Sequence, residues 1–244
     1  MARLPRRDVP LLHLLPNVLT IAAIAAGLSA IREAVDRDFS TAVLLLMAAA
    51  VLDGVDGRLA RLLGSHSPIG AELDSLADFV NFGVAAPLLV YFWALHDLPK
   101  LGWTAVLIFA VCCVLRLARF NVAAKTAVPD AAGDHFVGIP SPAGAMLLLL
   151  PLFLSFATDD AVRVPDAAIA GWTAAVGIAM ISTLRVAAFK EPKIATGHVR
   201  YALLAVAVVM AALLSYPWAT LVAACVAYIA FVALTCRQAA PERP

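Results

Sequence analysis

Charged residues are scarce in this sequence. Asp, Glu, Lys and Arg make up 14% of its 244 residues, whereas 63% are hydrophobic. A soluble domain averages about 25% charged and about 45–50% apolar residues. Because this chain has too little polar surface to cover a water-soluble globule, we predict an integral membrane protein.

Basic runs and metal-type cysteine patterns are also missing. The net charge is +1, so nothing in the composition predicts a nucleic-acid partner. Cys112 and Cys113 are neighbours in one apolar run, and Cys225 and Cys236 lie far downstream in another. No pair has the spacing of a metal site, so we interpret all four as buried apolar thiols.

Long apolar segments follow one another along the chain. A spanning helix needs about 20 mostly apolar residues, and eight segments come close to that length. We therefore predict an all-α, polytopic membrane bundle of eight transmembrane helices. Their approximate ranges are 16–34, 40–62, 71–95, 101–122, 140–158, 167–188, 199–215 and 217–236.

Lys and Arg predict the orientation of these spans. An even number of spans puts both termini on one side of the membrane, and that side collects 14 of the 18 Lys and Arg residues. Cytoplasmic loops carry the excess of positive residues in membrane proteins. We expect both termini to face the cytoplasm, in the cytoplasmic membrane of a bacterium.

The stretch LDGVDGRLARLLGSHSPIGAELDSLAD, residues 52–78, is unusually polar for such a chain. Asp53 and Asp56 are three residues apart at the end of the second span, and Asp74 and Asp78 are four apart at the start of the third. Residues three or four apart share a helix face. Two antiparallel helices joined by a short loop can therefore bring four carboxylates together near the cytoplasmic surface.

Four clustered carboxylates favour a bound cation. Like charges in a low-dielectric setting cannot all stay ionised unless something compensates them. Ligands that are all oxygen favour a hard divalent ion, so we predict Mg²⁺ or Mn²⁺, with Ca²⁺ as another occupant. An interhelical salt-bridge network with Arg58 or Arg61 is the structural alternative, and an ion path through a divalent-cation transporter is the functional one.

Small residues and one arginine accompany the carboxylates. Gly54 and Gly57 each cost about 1 kcal/mol of helix propensity relative to Ala, so we expect a flat ligand or a partner helix against bare backbone there. Ala60 continues this small face, and the planar guanidinium of Arg61 suits a phosphate. The combination predicts a metal–diphosphate site at the membrane surface.

Written as a pattern, the stretch reads Asp53-x2-Asp56-Gly57-x2-Ala60-Arg61-x8-Gly70-x3-Asp74-x3-Asp78. It resembles, without a departure, the signature of the CDP-alcohol phosphatidyltransferases. The resemblance implies a core of six membrane helices, a homodimer and a pair of divalent metal ions. It also implies that an alcohol displaces CMP from a CDP-linked lipid.

By this resemblance, Asp53, Asp56, Asp74 and Asp78 hold the metals, and Asp78 is also the general base on the incoming hydroxyl. The CDP-lipid would contact a set of seven residues: Asn17, Thr20, Gly54, Gly57, Ala60, Arg61 and Gly70. Residues 1–190 would form the membrane core, and residues 191–244 would add a hairpin of two C-terminal helices.

Four further blocks concern the acceptor alcohol. LPNVLT (15–20), RLARFNVA (116–123), FVGIPSPAGA (136–145) and STLRVAAFK (182–190) are similar to blocks of the phosphatidylserine synthase subfamily. The resemblance implies CDP-diacylglycerol and L-serine as substrates. We place Arg119, Asn121 and Arg185 in the serine pocket, because the serine carboxylate needs a cation. Glycerol 3-phosphate, an inositol phosphate and choline remain alternative acceptors.

Overall fold

The computed structural model describes residues 11–65, 67–126, 135–182, 185–187 and 199–238. Their contacts divide the chain into two units, residues 1–93 and 94–244. The predicted division at residue 190 into a core and an extension remains a prediction. Each unit is described by itself below.

The first unit contains three helical segments that are long and apolar enough to cross a membrane. A short 3₁₀ turn at Leu11–Leu14 leads into α1 (Leu15–Val35), which is followed by α2 (Phe39–Leu63). The third segment starts as α3 (Pro68–Asp78), passes through a π-helical stretch (Phe79–Ala85) into α4 (Ala86–Val90), and ends in a second π-helical stretch (Tyr91–Leu95).

Small residues form the contact between α1 and α2. The buried positions of α1 repeat every three or four residues, and most are small: Pro16, Thr20, Ala23, Gly27, Ala30 and Ala34. The buried face of α2 starts at Ala42 and Val43, continues through Leu46 and Ala49, and reaches Asp56. Small side chains let membrane helices approach closely. Asp56 therefore lies on the packed face of α2 and is held against α1.

Two glycines fix the course of the third segment. Gly64 ends α2 with a left-handed φ of 58°, a conformation that costs glycine little. At Gly27 of α1, a Cβ atom would lie 2.0 Å from Oδ1 of Asn81. Gly27 therefore lets the π-helical stretch that follows Asp78 pack directly on α1.

The second unit contains the remaining helices. These are α5 (Pro99–Thr126), α6 (Ser141–Leu148), α7 (Leu150–Ala157), α8 (Asp166–Ile181), α9 (Val199–Ser215) and α10 (Pro217–Gln238). Two three-residue strands, β1 (His135–Val137) and β2 (Arg185–Ala187), pair antiparallel with Phe136 opposite Val186. This small ladder joins the backbone before α6 to the backbone after α8.

The helical, multi-pass class is confirmed, whereas the count of eight spans remains a prediction. Within the described residues, five segments are long and apolar enough to cross a bilayer: Leu12–Val35, Phe39–Leu63, Pro68–Leu95, Pro99–Ala123 and Pro217–Thr235. The predicted sixth span, 167–188, is wrong at its end, because the helix stops at Ile181 and residues 185–187 form β2. The apolar helices Asp166–Ile181 and Leu203–Ser215 are shorter.

The predicted fifth span, 140–158, is interrupted in the middle. Pro151 has no N–H to donate to the carbonyl of Leu147 one turn earlier, and α6 gives way to α7 at Leu149. The indole Nε1 of Trp172 in α8 donates a 2.7 Å hydrogen bond to that carbonyl. A side chain from another helix thus satisfies the group that the proline leaves open, as apolar surroundings require.

We expect Trp172→Phe to lower the free energy of unfolding in mixed micelles by about 1–3 kcal/mol, because it leaves a buried carbonyl unsatisfied. In a Pro151→Ala background the new N–H can serve that carbonyl, so the same substitution should cost about 1 kcal/mol less. Equal costs in both backgrounds would show that the indole contributes by packing alone.

Candidate metal and phosphate site

The carboxylates of α2 and α3 share one region of the first unit. Asp53 interacts electrostatically with Asp78, Asp74 and Asp56, and its carboxyl group lies within hydrogen-bonding reach of Asp78. Asp74 also interacts with Asp56. The structure therefore places Asp56, Asp74 and Asp78 within electrostatic range of Asp53, as the spacing predicted.

The turn between α2 and α3 produces this approach. The N–H of Ser65 donates to the carbonyl of Ala60 over 3.0 Å, which closes the end of α2 around Gly64. Ser67 then caps α3, because its Oγ accepts a 2.9 Å hydrogen bond from the N–H of Gly70. Pro68 occupies the first turn of α3, where its missing N–H costs nothing.

Thr20 of α1 holds one of the carboxylates. Its Oγ1 lies 2.5 Å from Oδ2 of Asp56, to which it donates, and 3.0 Å from the carbonyl oxygen of Pro16. Thr20 is 4% exposed and Asp56 is 2% exposed. The hydroxyl therefore fixes the orientation of a buried carboxylate. Sequence reasoning assigned Thr20 to the CDP-lipid and missed this contact, because nothing in the spacing shows which residue of α1 faces Asp56.

A cavity of about 230 Å³ opens beside this pair. Its lining comprises Pro16, Asn17, Thr20, Asp56, Gly57, Ala60, Ser65, Ser67, Gly70, Ala71 and Asp74. Seven residues predicted to bind metal or CDP-lipid thus lie on one surface. Ser65 and Ser67 were not predicted, although they belong to the loop inside the signature and offer hydroxyl groups to a phosphate.

The glycines of the signature play different parts. A Cβ atom at Gly57 would meet nothing within 4 Å, so this glycine leaves room in the cavity and does not serve a contact within the chain. Gly54 also faces open space but does not line the cavity. A Cβ atom at Gly70 would lie 3.0 Å from Oδ1 of Asn17, so Gly70 permits the approach of α3 to α1.

The arginines of α2 do not neutralise the carboxylates. Arg61 is exposed and does not line the cavity. The ion pairs found among the described residues are Arg32–Asp36 and His96–Asp97. The alternative of a salt-bridge network between Asp53 or Asp56 and Arg58 or Arg61 is therefore not observed in the described part of the chain.

The donor atoms suit a hard divalent cation. Oδ1 of Asp53 and Oδ1 of Asp56 are buried and have no hydrogen-bond partner, which is costly unless a cation or another ligand compensates. A shell for one ion is not preformed, since no three His, Cys, Asp or Glu side chains stand close enough together within the described residues. The aspartates therefore fit a divalent cation in two respects: their ligand atoms are oxygens, and two of these oxygens have no hydrogen-bond partner.

The residues predicted for the acceptor pocket belong to the second unit. Nη1 of Arg119 donates a 3.2 Å hydrogen bond to the carbonyl of Ile181, at the C-terminal end of α8. Cations interact favourably with the carbonyl end of a helix. Asn121 lies near the end of α5. Arg185 lies in β2, and its side chain falls outside the described part of the structure.

Two family models match the chain. Residues 13–181 match the model described as CDP-alcohol phosphatidyltransferase, and residues 199–232 match one described as CDP-alcohol phosphatidyltransferase 2. The first match includes every predicted metal and CDP-lipid residue. The second covers most of α9 and α10, for which the sequence had suggested no chemistry.

Several curated relatives, among them the following three, carry the name CDP-diacylglycerol–serine O-phosphatidyltransferase. The protein of Mycobacterium tuberculosis H37Rv is 36% identical over 96% of this chain and 81% of its own length. That of Mycobacterium leprae is 49% identical over 59% of this chain and 49% of its own length. That of Helicobacter pylori J99 is 36% identical over 75% of each.

The contact between Thr20 and Asp56 yields a prediction about cation binding. We expect Thr20→Val to weaken Mn²⁺ binding, measured by electron paramagnetic resonance, about 10- to 100-fold, because partners that orient a ligand carboxylate contribute that much. Thr20→Ser keeps the hydroxyl and should bind nearly as the parent does.

Thr173→Val is a matched control. Thr173 is also a buried helical threonine that donates to the carbonyl one turn earlier, but that bond, 2.9 Å to Ile169, involves no carboxylate. Its substitution should leave Mn²⁺ binding unchanged. If Thr20→Val binds Mn²⁺ as tightly as Thr173→Val does, Thr20 does not position Asp56 for a cation.

Proposed function

The chain belongs to the CDP-alcohol phosphatidyltransferase family, and we propose that it transfers the phosphatidyl group of CDP-diacylglycerol to the hydroxyl of L-serine, giving phosphatidylserine and CMP. The match over residues 13–181 supports the transfer. The names of the relatives support serine as the acceptor. Because this family consists of transferases, its match to the chain favours an enzyme over the alternative of a divalent-cation transporter.

One observation carries the proposal: the carboxylates that suit a divalent cation border a cavity with bare backbone at Gly57. A diphosphate needs neutralised charge, and a nucleotide needs a flat surface to lie against. Both requirements meet between α1, α2 and α3. The cavity also holds the hydroxyl groups of Ser65 and Ser67 and the amide of Asn17, which suit phosphate or cytidine oxygens.

Asp53, Asp56, Asp74 and Asp78 would hold divalent metal, for which we propose two ions of Mg²⁺ or Mn²⁺ with Ca²⁺ as another occupant. When bound, such ions neutralise the diphosphate and stabilise the oxygens of an in-line displacement. The chain contributes orientation, since Thr20 keeps one oxygen of Asp56 engaged and leaves Oδ1 without a hydrogen-bond partner.

The reaction forms one bond to phosphorus and breaks another. The serine hydroxyl oxygen attacks the phosphorus that carries the diacylglycerol, and the bond from that phosphorus to the oxygen of CMP breaks. We assign the hydroxyl proton to Asp78, which is next to Asp53 and directly precedes the π-helical stretch. The proposed CDP-lipid surface comprises seven residues: Asn17, Thr20, Gly54, Gly57, Ala60, Arg61 and Gly70.

The serine carboxylate needs a cation away from the aspartates. We propose Arg119 and Arg185, with Asn121 as a polar contact, because they lie in blocks that resemble the serine-specific subfamily. The hydrogen bond of Arg119 to Ile181 places its guanidinium at the C-terminal end of α8.

Membership of the CDP-alcohol phosphatidyltransferase family also supports a proposal for the oligomeric state and the location of the enzyme. We propose a homodimer in the cytoplasmic membrane of a bacterium, with the active site and both termini facing the cytoplasm. Five segments in the described part of the chain suit a bilayer, and with the eight predicted spans the distribution of Lys and Arg favours this orientation. CDP-diacylglycerol can then enter from the lipid phase while serine enters from water.

CMP release from CDP-diacylglycerol by the purified full chain tests the acceptor. Serine, glycerol 3-phosphate, inositol phosphate and choline are offered separately with Mn²⁺ or Mg²⁺. We expect release with serine to exceed release with each other acceptor at least tenfold. Faster release with another alcohol would keep the family and overturn serine, whereas no release with any would overturn the transfer itself.

The acceptor pocket is tested in the same assay with Arg119→Gln. We expect the KM for serine to rise about 10- to 100-fold, since a charge-assisted hydrogen bond contributes about 1.5–3 kcal/mol, while the KM for CDP-diacylglycerol changes little. A lower melting temperature with an unchanged KM for serine would show that Arg119 stabilises the fold through Ile181 and does not bind serine.

A further inference from the structure

The second unit contains an apolar groove that shares no residue with the proposed CDP-lipid surface. Its volume is about 400 Å³, within the range of about 300–1,000 Å³ that small-molecule sites occupy. A second cavity of about 160 Å³ shares Leu147 and Tyr228 with it. Helices α6, α8 and α10 supply the walls, and the main lining residues are Leu147, Trp172, Val176, Tyr228, Ile229 and Val232.

The side chain of Tyr228 brings a hydroxyl group into this apolar wall. The hydroxyl of Tyr228 is buried and has no hydrogen-bond partner among the described residues. A buried hydroxyl in that condition is unfavourable unless a ligand supplies an acceptor. The ester or phosphate oxygens of a phospholipid are such acceptors, whereas a plain hydrocarbon is not.

A cation lies near the same hydroxyl. Arg116 of α5 acts electrostatically on Tyr228, donates from Nη1 to Oγ of Ser141, and stacks 5.9 Å from the centre of the Phe120 ring. These contacts hold the guanidinium at the start of α6, the helix that contributes Leu147 to the groove. These groups match the parts of a phospholipid. The guanidinium of Arg116 suits an anionic head group, the hydroxyl of Tyr228 suits a glycerol ester, and the groove suits an acyl chain.

The surroundings favour a lipid of the bilayer over the nucleotide-bearing substrate. Helix α10 is among the segments able to span a membrane, and Ile229 and Ala233 at the lip of the groove are exposed. The lining contains no carboxylate and no glycine, in contrast to the cavity between α1, α2 and α3. We propose that this groove binds an acyl chain of an anionic bilayer phospholipid, with its ester at Tyr228 and its phosphate near Arg116.

Native mass spectrometry of the detergent-purified full chain tests this site with two probes, phosphatidylglycerol and phosphatidylcholine of the same acyl chains. We expect one phosphatidylglycerol per chain, held at least tenfold more tightly than phosphatidylcholine. Ala233→Trp fills the groove from its exposed lip and should reduce phosphatidylglycerol occupancy at least tenfold. Ala230→Trp places the same bulk at an exposed position of α10 outside the lining and should not.

Two further variants test the polar contacts. Tyr228→Phe should weaken phosphatidylglycerol binding about 5- to 10-fold, as expected for one hydrogen bond. Arg116→Gln should remove the preference for phosphatidylglycerol over phosphatidylcholine. These results do not depend on turnover, so they stand apart from the choice of acceptor alcohol.

Three outcomes would overturn the proposal. Equal phosphatidylglycerol occupancy in the Ala233→Trp and Ala230→Trp variants would exclude this groove as the lipid site. Dissociation of a dimer by Ala233→Trp without loss of lipid would assign the groove to a second copy of the chain. Displacement of phosphatidylglycerol from the parent by equimolar CDP-diacylglycerol would assign it to the substrate.

Discussion

The close contact between α1 and α2 is the constraint on which the rest of the site depends. The small residues on the buried face of α1 let the backbones approach, and at the end of this contact Thr20 meets Asp56. A larger side chain at Gly27 would push α1 away from Asn81 and the π-helical stretch after Asp78. The helix pairing thus determines where the carboxylates of α2 and α3 stand relative to α1, and with it the shape of the cavity.

The spacing of the sequence predicted the meeting of the four carboxylates, because helical periodicity and a short turn leave few other arrangements. It did not predict Thr20 as the partner of Asp56, since a contact between separate helices depends on their rotation about their own axes. The glycines also show that the sequence pattern does not predict contacts between helices. Gly57 and Gly70 read alike in the pattern, yet one leaves room in a cavity and the other permits two helices to touch.

Span prediction worked where the apolar segment was long and uninterrupted, as in α1, α2, α5 and α10. It was wrong at the end of the predicted sixth span, where Arg185 to Ala187 form a strand although the sequence stays largely apolar. Hydropathy records the preference for lipid but not the backbone pairing that competes with a helix. The sequence indicates the break at Leu149 more clearly, because Pro151 lacks the N–H donor of a regular helix. The indole of Trp172 in α8 replaces that donor.

We propose that divalent metal beside the cavity of Gly57 is held jointly by Asp53, Asp56, Asp74 and Asp78. Anomalous diffraction from crystals of the full chain grown with Mn²⁺ and CDP-diacylglycerol tests it most directly. We expect two anomalous peaks between α2 and α3, each within about 2.0–2.3 Å of carboxylate oxygens from these aspartates. Nucleotide bound in the cavity with Mn²⁺ peaks located elsewhere, or with no peak beside these carboxylates, would contradict it.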